Sequence, residues 1–88
     1  MKVVWAPDAL ASYRDWEAAD PKMAEKIVRL ISDIKRSPFS GIGKPEPLKQ
    51  DMAGLWSRRI NKEHRLVYRI VGKGAGQVLE ILQCRYHY

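Results

Sequence analysis

Four side chains that could transfer a proton or bind a phosphate lie in three separate segments of this chain. Glu46 lies between two prolines in the segment KPEPLK, and Arg65 lies in the segment HRLVY. His87 and Tyr88 end the segment CRYHY. A carboxylate can act as a general base, an imidazole can donate a proton near neutrality, and a guanidinium matches phosphate oxygens with a planar fork. These types suit metal-free cleavage of RNA, in which the substrate's own 2′-hydroxyl is the nucleophile.

Basic residues surround these candidates. Lys44 and Lys49 flank the proline-rich segment, and Arg58 and Arg59 precede the turn that leads to Arg65. The formal charge of +6 is distributed unevenly, with +1 in residues 1–43 and +5 in residues 44–88. This asymmetry favours a polyanionic partner, with nucleic acid as the first choice and an anionic membrane surface as the second. We predict that these four basic residues contact phosphate or substrate.

Aromatic residues near the same segments could stack on exposed bases. Trp56 precedes the arginine pair, while Tyr86 and Tyr88 lie in the last three residues. Each candidate type also has an ordinary structural explanation. A glutamate between prolines can be a solvated loop residue, arginines can simply solubilise a sheet face, and a tryptophan such as Trp56 can belong to the core.

Other kinds of chemistry lack their sequence patterns. The single cysteine, Cys84, and the two histidines have no metal-ligand spacing, and the glycines form neither a phosphate-binding loop nor a dinucleotide motif. We therefore predict no metal and no cofactor. The lone cysteine suits a reducing cytoplasm, and we expect no signal peptide and no association with a membrane.

The first half of the chain predicts a strand followed by two helices. Residues 2–5 form a short apolar run, and Pro7 with Asp8 is typical of a helix start. Asp20 and Pro21 repeat that signal, so Asp20 is the expected N-cap. Apolar residues then recur at helical spacing until Pro38, at Met23, Ile27, Leu30, Ile31 and Ile34.

The second half changes to the two-residue period of strands. Residues 37–54 are punctuated by glycine and proline and predict a shaped loop over the sheet. Residues 55–60 and 65–71 predict a hairpin, in which a three-residue loop would place Arg59 opposite Arg65. Residues 77–86 predict a last strand in the sheet interior. The fold class is therefore α+β, a single domain over residues 1–88 with a helix hairpin on one face of a twisted antiparallel sheet.

A family resemblance agrees with these predictions. The segments KPEPLK, LWSRRI, HRLVY and CRYHY, in this order and at this spacing, resemble the YoeB (Txe) family of bacterial toxins within the RelE-like group. The likeness covers nearly the whole chain. The turn at residues 72–76 is longer than we expect for that family, which touches none of the candidate site residues.

The resemblance implies a ribosome-dependent endoribonuclease that cleaves messenger RNA in the decoding site and stops translation. By position, it implies that Glu46 is the base, Arg65 the transition-state clamp and His87 the acid, while Tyr88 shapes the site. Lys49 and Arg59 match positions that contact substrate or phosphate. It further implies a YefM-like antitoxin as partner and makes a homodimer plausible. If His87 and Tyr88 act there, we expect a short C-terminal tag to impair activity.

Two other functions remain open from the sequence. The first is a basic module that binds RNA, the ribosome or DNA without cutting it. The second is a partner of the antitoxin that binds operator DNA only as a complex and represses its own operon, which could coexist with cleavage. Replacing His87 by Gln separates the enzyme from the binder, because only catalysis should then fall steeply.

Overall fold

Two helices and five strands make up the fold. A computed structural model describes residues 1–86, so His87 and Tyr88 lie outside the described residues. The elements follow in the order β1 (Lys2–Trp5), α1 (Pro7–Ala19), α2 (Pro21–Arg36), β2 (Glu46–Pro47), β3 (Trp56–Arg59), β4 (Arg65–Val71) and β5 (Val78–Gln83). One-turn 3₁₀ helices occur at Gln50–Met52 and Gly74–Gly76.

The predicted helix hairpin is confirmed. Both helices start with proline at the first turn, where its missing N–H costs nothing. Asp20 is the N-cap of α2, as predicted, and its backbone carbonyl accepts the N–H of Met23 at 2.9 Å. The helical stripe of α2 faces the core, and its five predicted members are all buried, namely Met23, Ile27, Leu30, Ile31 and Ile34.

The sheet is mixed, which corrects one detail of the predicted architecture. The strand order is β1-β5-β4-β3-β2, and β1 pairs with β5 in parallel while the other neighbours are antiparallel. The helix hairpin carries the chain from β1 at one edge of the sheet to β2 at the opposite edge, and the chain then returns through β3 and β4 to β5, which lies beside β1. The two-residue periodicity of a strand does not indicate whether it runs parallel or antiparallel to its neighbour.

The last strand lies in the interior of the sheet, as predicted. β5 is paired with β1 on one side and β4 on the other. Its register with β4 shifts between Val67, which pairs with Gln83, and Tyr68, which pairs with Ile81. One extra residue of β5 is thus accommodated as a bulge, a device that bends a strand near its end.

The two faces of the sheet have different surroundings. The helices cover the face that carries Leu66, Tyr68, Leu79 and Ile81, and these side chains form one apolar cluster with α2. The alternation of side chains along each strand puts Ser57, Arg59, Arg65 and Val67 on the opposite face. We call this second face the open face, and it is where the candidate site residues must be sought.

Candidate active site

Three of the predicted site residues share the open face. Glu46 on β2 pairs with Ser57 on β3, and Ser57 pairs with Val67 on β4. Glu46, Ser57 and Val67 therefore form one row across the three strands. Arg59 pairs with Arg65 in the next row on the same face, which confirms the predicted opposition of the two arginines. Ideal strand spacing separates the Cα atoms of Glu46 and Arg65 by about 12 Å, so both side chains can reach toward a group bound between them.

Glu46 is held in position by a short edge strand that the sequence did not predict. β2 is only two residues long, and Pro45 and Pro47 fix the backbone on both sides of the glutamate. Beyond it, the N–H of Leu48 donates to the carbonyl of Leu55 at 2.9 Å, and the Leu48 side chain is buried. The backbone is therefore fixed while the Glu46 side chain remains exposed.

The start of this loop is anchored against the protein interior. The N–H of Arg59 donates to the carbonyl of Gly43 at 2.6 Å. Gly43 adopts a φ of +78°, and a Cβ atom there would lie 2.8 Å from Leu30 and 3.1 Å from the carbonyl oxygen of Arg59. Only glycine fits this conformation and this close approach. The anchor places exposed Lys44 immediately before the Pro45–Glu46 segment.

Arg58 does not contact phosphate, and this prediction was wrong. Its side chain has no exposed surface, because β3 directs it to the helix-covered face opposite Leu66. Nη1 donates to Asp33 Oδ2 at 2.6 Å and to the carbonyl of Ile42 at 3.1 Å. Nη2 donates to the carbonyls of Ser37 at 2.7 Å and Ser40 at 2.8 Å. Arg58 therefore organises the loop after α2 from inside.

The acidic partner of Arg58 is a buried aspartate on α2. Asp33 also accepts the N–H of Ile42 at 3.0 Å and pairs with Arg36. The hydrogen bond from Arg58, followed by that from Ile42, lowers the pKa of Asp33 to about 2. At physiological pH the carboxylate stays ionised, so the pair keeps Ser37 to Ile42 attached to α2 and thereby supports the loop that carries Glu46.

Arg65 is oriented by the turn that precedes it. Its Nη1 donates to the carbonyl of Asn61 at 2.8 Å and to that of His64 at 3.1 Å. Among residues 1–86, its Nε and Nη2 have no hydrogen-bond partner. A guanidinium fixed at one corner with two donors available is suited to binding an oxyanion.

The remaining predicted residues differ in their surroundings. Lys49 lines a groove of about 340 Å³ together with Glu46, so it lies beside the carboxylate. Trp56 is half-buried, packs against the core and contacts Phe39 at a ring distance of 4.9 Å, which favours the core interpretation over base stacking. Tyr86 is 55% exposed and remains available for stacking. The predictions for His87 and Tyr88 fall outside the described residues.

Comparisons with known proteins identify the family to which the chain belongs. The family model described as "YoeB-like toxin of bacterial type II toxin-antitoxin system" matches residues 5–88. The chain belongs to this family. Toxin YoeB of Escherichia coli K12 is 47% identical over 88 residues, covering all of both chains.

Solved structures of this family have the same fold. A YoeB/ParE toxin from Agrobacterium tumefaciens is 57% identical, covers the whole of both chains and superposes with a TM-score of 0.98. A YoeB chain in a heterotetrameric YoeB–YefM toxin–antitoxin complex from Staphylococcus aureus is 40% identical. That match covers 100% of this chain and 98% of the other, with a TM-score of 0.88. The recognition of a YoeB-like toxin with a RelE-like fold is confirmed.

Two residues that support the candidate site from the interior, Asp33 and Arg58, were not predicted to do so from the sequence. Asp33 interrupts the apolar stripe of α2, and Arg58 lies between the apolar residues Trp56 and Ile60 in a two-residue spacing that puts all three on one side of the chain. This spacing was the signal in the sequence that could have predicted the burial of Arg58.

No helix among residues 1–86 is long and apolar enough to cross a membrane.

Proposed function

We propose that this toxin is a ribosome-dependent endoribonuclease that cleaves messenger RNA in the decoding site and inhibits translation. The observation that carries the proposal is the common location of Glu46, Arg59 and Arg65 on the open face of the sheet. Family membership makes a toxin activity the expected context for such a face. Cleavage of messages in the cytoplasm would account for that toxicity.

The reaction needs only groups that this chain carries. Glu46 removes the proton from the ribose 2′-hydroxyl, and the resulting oxygen attacks the adjacent phosphorus. Arg65 stabilises the added charge on the phosphate oxygens, using the donors that the turn leaves available. His87 protonates the departing 5′-oxygen, and Tyr88 shapes the site. The products are a 2′,3′-cyclic phosphate and a 5′-hydroxyl, so atoms and charge balance without a metal.

Lys44, Lys49 and Arg59 bind the flanking phosphates in this proposal. All three are exposed and lie beside or on the open face. Each phosphate contact releases counterions, so the affinity for ribosomes or RNA should fall steeply with salt. Replacing Lys49 by Gln should reduce the slope of log K against log salt by about 1. The matched control is Lys73→Gln, in the exposed turn before β5, which should leave the slope unchanged.

The decisive test is to map cut sites on ribosome-bound messages with the purified protein and to identify the new ends. We expect cleavage with 2′,3′-cyclic phosphate ends. His87→Gln should reduce the cleavage rate by about 100-fold or more with little change in affinity. Intact messages bound by the wild-type protein would contradict nuclease activity and favour the non-catalytic binding module.

A YefM-like antitoxin is the proposed protein partner. The family comprises toxins of toxin–antitoxin systems, and the YoeB of the S. aureus complex is assembled with YefM. We propose that the complex also binds operator DNA and represses its own operon. Mobility-shift assays with each protein alone and with both together test this role. Homodimer formation also remains a prediction, which sedimentation of the purified toxin tests.

A further inference from the structure

The turn at residues 61–64, which connects β3 to β4, is fixed by hydrogen bonds to the Asn61 side chain. The side-chain oxygen Oδ1 of Asn61 accepts the N–H of Glu63 at 2.8 Å and the N–H of His64 at 2.7 Å. An asparagine that bonds to the following backbone in this way fixes the shape of a turn. This turn therefore gives His64 a defined position immediately before β4.

His64 and its neighbour bind the backbone of Tyr86 on both sides. The N–H of Tyr86 donates to Nδ1 of His64 at 2.8 Å, so Nδ1 is an acceptor and carries no proton. The N–H of Arg65 donates to the carbonyl of Tyr86 at 3.0 Å. The chain after β5 is thus joined to the turn by two hydrogen bonds through a single residue.

The imidazole is immobilised by its surroundings. His64 is only 6% exposed. The rings of Trp16 and His64 meet in a T-shaped arrangement with their centroids 4.9 Å apart, and the centroid of the Tyr86 ring lies 5.4 Å from that of His64. Trp16 in turn donates from Nε1 to the carbonyl of Cys84 at 3.0 Å. Swinging the His64 ring away from Tyr86 would disrupt this packing, so the acceptor stays in place.

Tyr86 adopts a backbone conformation that needs such support. Its φ of +61° lies in the left-handed region, which costs a residue with a Cβ atom about 1 kcal/mol or more. The two hydrogen bonds stabilise this conformation of the Tyr86 backbone. The next two residues along the sequence are His87 and Tyr88.

We propose that His64 is a positioning residue for the nuclease site. By accepting the Tyr86 N–H, its Nδ1 fixes the backbone of Tyr86, the residue that precedes the proposed acid in the sequence, and the same turn holds Arg65 through the carbonyls of Asn61 and His64. The phosphate clamp Arg65 and the backbone of Tyr86 are therefore held by one turn. This inference rests on the proposed function for its effect on cleavage, while its effect on the backbone is independent of that function.

Three substitutions of His64 separate the role of Nδ1 from that of bulk. His64→Asn places an amide oxygen where Nδ1 stands and keeps the acceptor. His64→Gln carries its oxygen one bond further, near the position of Nε2, and His64→Leu has no acceptor. The expected reduction in kcat is about 10- to 100-fold for Leu and Gln, because misplaced reacting groups cost rates of that order. H64N should recover kcat to within a few-fold of wild type, and KM for ribosome-bound message should change little in all three.

A second measurement does not depend on cleavage. Hydrogen exchange of the Tyr86 amide, followed by NMR, should be slow in the wild type and H64N and fast in H64Q and H64L. Should H64L fail to fold, the Asn and Gln variants alone decide the comparison. Equal kcat values for Asn and Gln, or fast Tyr86 exchange without loss of kcat, would overturn the proposal. Absence of cleavage by the wild type would refute the proposed function, and the exchange pattern would still uphold or overturn the hydrogen bond to His64.

Discussion

Replacing Arg58 by Met should destabilise the protein strongly, although its neighbour Arg59 should tolerate the same change. The Arg58 guanidinium makes five hydrogen bonds, one to Asp33, three to backbone carbonyls and one from Nε to Tyr68 Oη at 3.2 Å. A hydrogen bond to a charged partner contributes about 2 kcal/mol, and each carbonyl that loses its donor costs about 1 kcal/mol. Methionine retains part of the packing.

The expected loss in the free energy of unfolding is therefore about 3–5 kcal/mol, which agrees with the usual cost of breaking a buried ion pair. Arg36 also pairs with Asp33, but its side chain is 75% exposed and cannot replace the buried guanidinium. For a domain of this size the melting temperature should fall by more than about 12 °C. Urea denaturation with thermal melting measures both quantities.

The matched control is Arg59→Met, one residue along the same strand and exposed on the open face. It should change stability by no more than about 0.5 kcal/mol while weakening the binding of RNA. A double-mutant cycle with Asp33→Leu should show a coupling energy of about 1 kcal/mol or more. A loss below about 1 kcal/mol for R58M, or equal losses for R58M and R59M, would refute the interpretation of Arg58 as an internal support.

Three further predictions concern titratable and exposed groups. Burial raises the pKa of the Cys84 thiol to about 11, so iodoacetamide at pH 8 should label it slowly in the native state and rapidly in urea, and fast native labelling would contradict its burial. The pKa of Asp33 lies below its unfolded value, so its ionised form stabilises the fold above about pH 4, and this contribution is lost as the pH falls through about 2. The stability gap between the wild type and Asp33→Asn, measured by urea unfolding, should therefore narrow from pH 5 to pH 2. Glu46→Gln should lower the rate of cleavage of ribosome-bound message by about 100-fold and leave the melting temperature unchanged, because Glu46 is exposed. A fall in melting temperature that accompanies the loss of cleavage would instead indicate a structural role for Glu46.

The helix hairpin could be predicted because its signals are local. Pro7, Pro21 and the apolar stripe of α2 each act within a few residues, and helix starts and faces depend mainly on such short-range patterns. The β3–β4 hairpin was predictable for the same reason. Its register also followed from the loop length, which is why Arg59 could be paired with Arg65 before the fold was known.

The strand β2 and the fate of Arg58 were not predicted because both depend on distant partners. A strand of two residues, one of them a proline, shows no periodicity, and β2 exists only through its pairing with β3. Arginine is usually exposed, so the residue type alone favoured a phosphate contact. Burial became possible because Asp33 and the carbonyls of residues 37–42 supply acceptors for its donors.

The sequence by itself determined the family, the order of the helices and of strands β1, β3, β4 and β5, and the residue types of the candidate site, because each of these is encoded in a contiguous pattern of a few residues. Only the tertiary structure decided that β1 runs parallel to β5, that Arg58 is internal, and that His64 binds the backbone beside the candidate acid. These features join residues that are far apart in the chain, such as Tyr86 and His64, which are 22 positions apart, and Lys2 and Val78, which are 76 positions apart. Chain closure over such distances depends on the packing of the whole sheet against the helices, which no local pattern records.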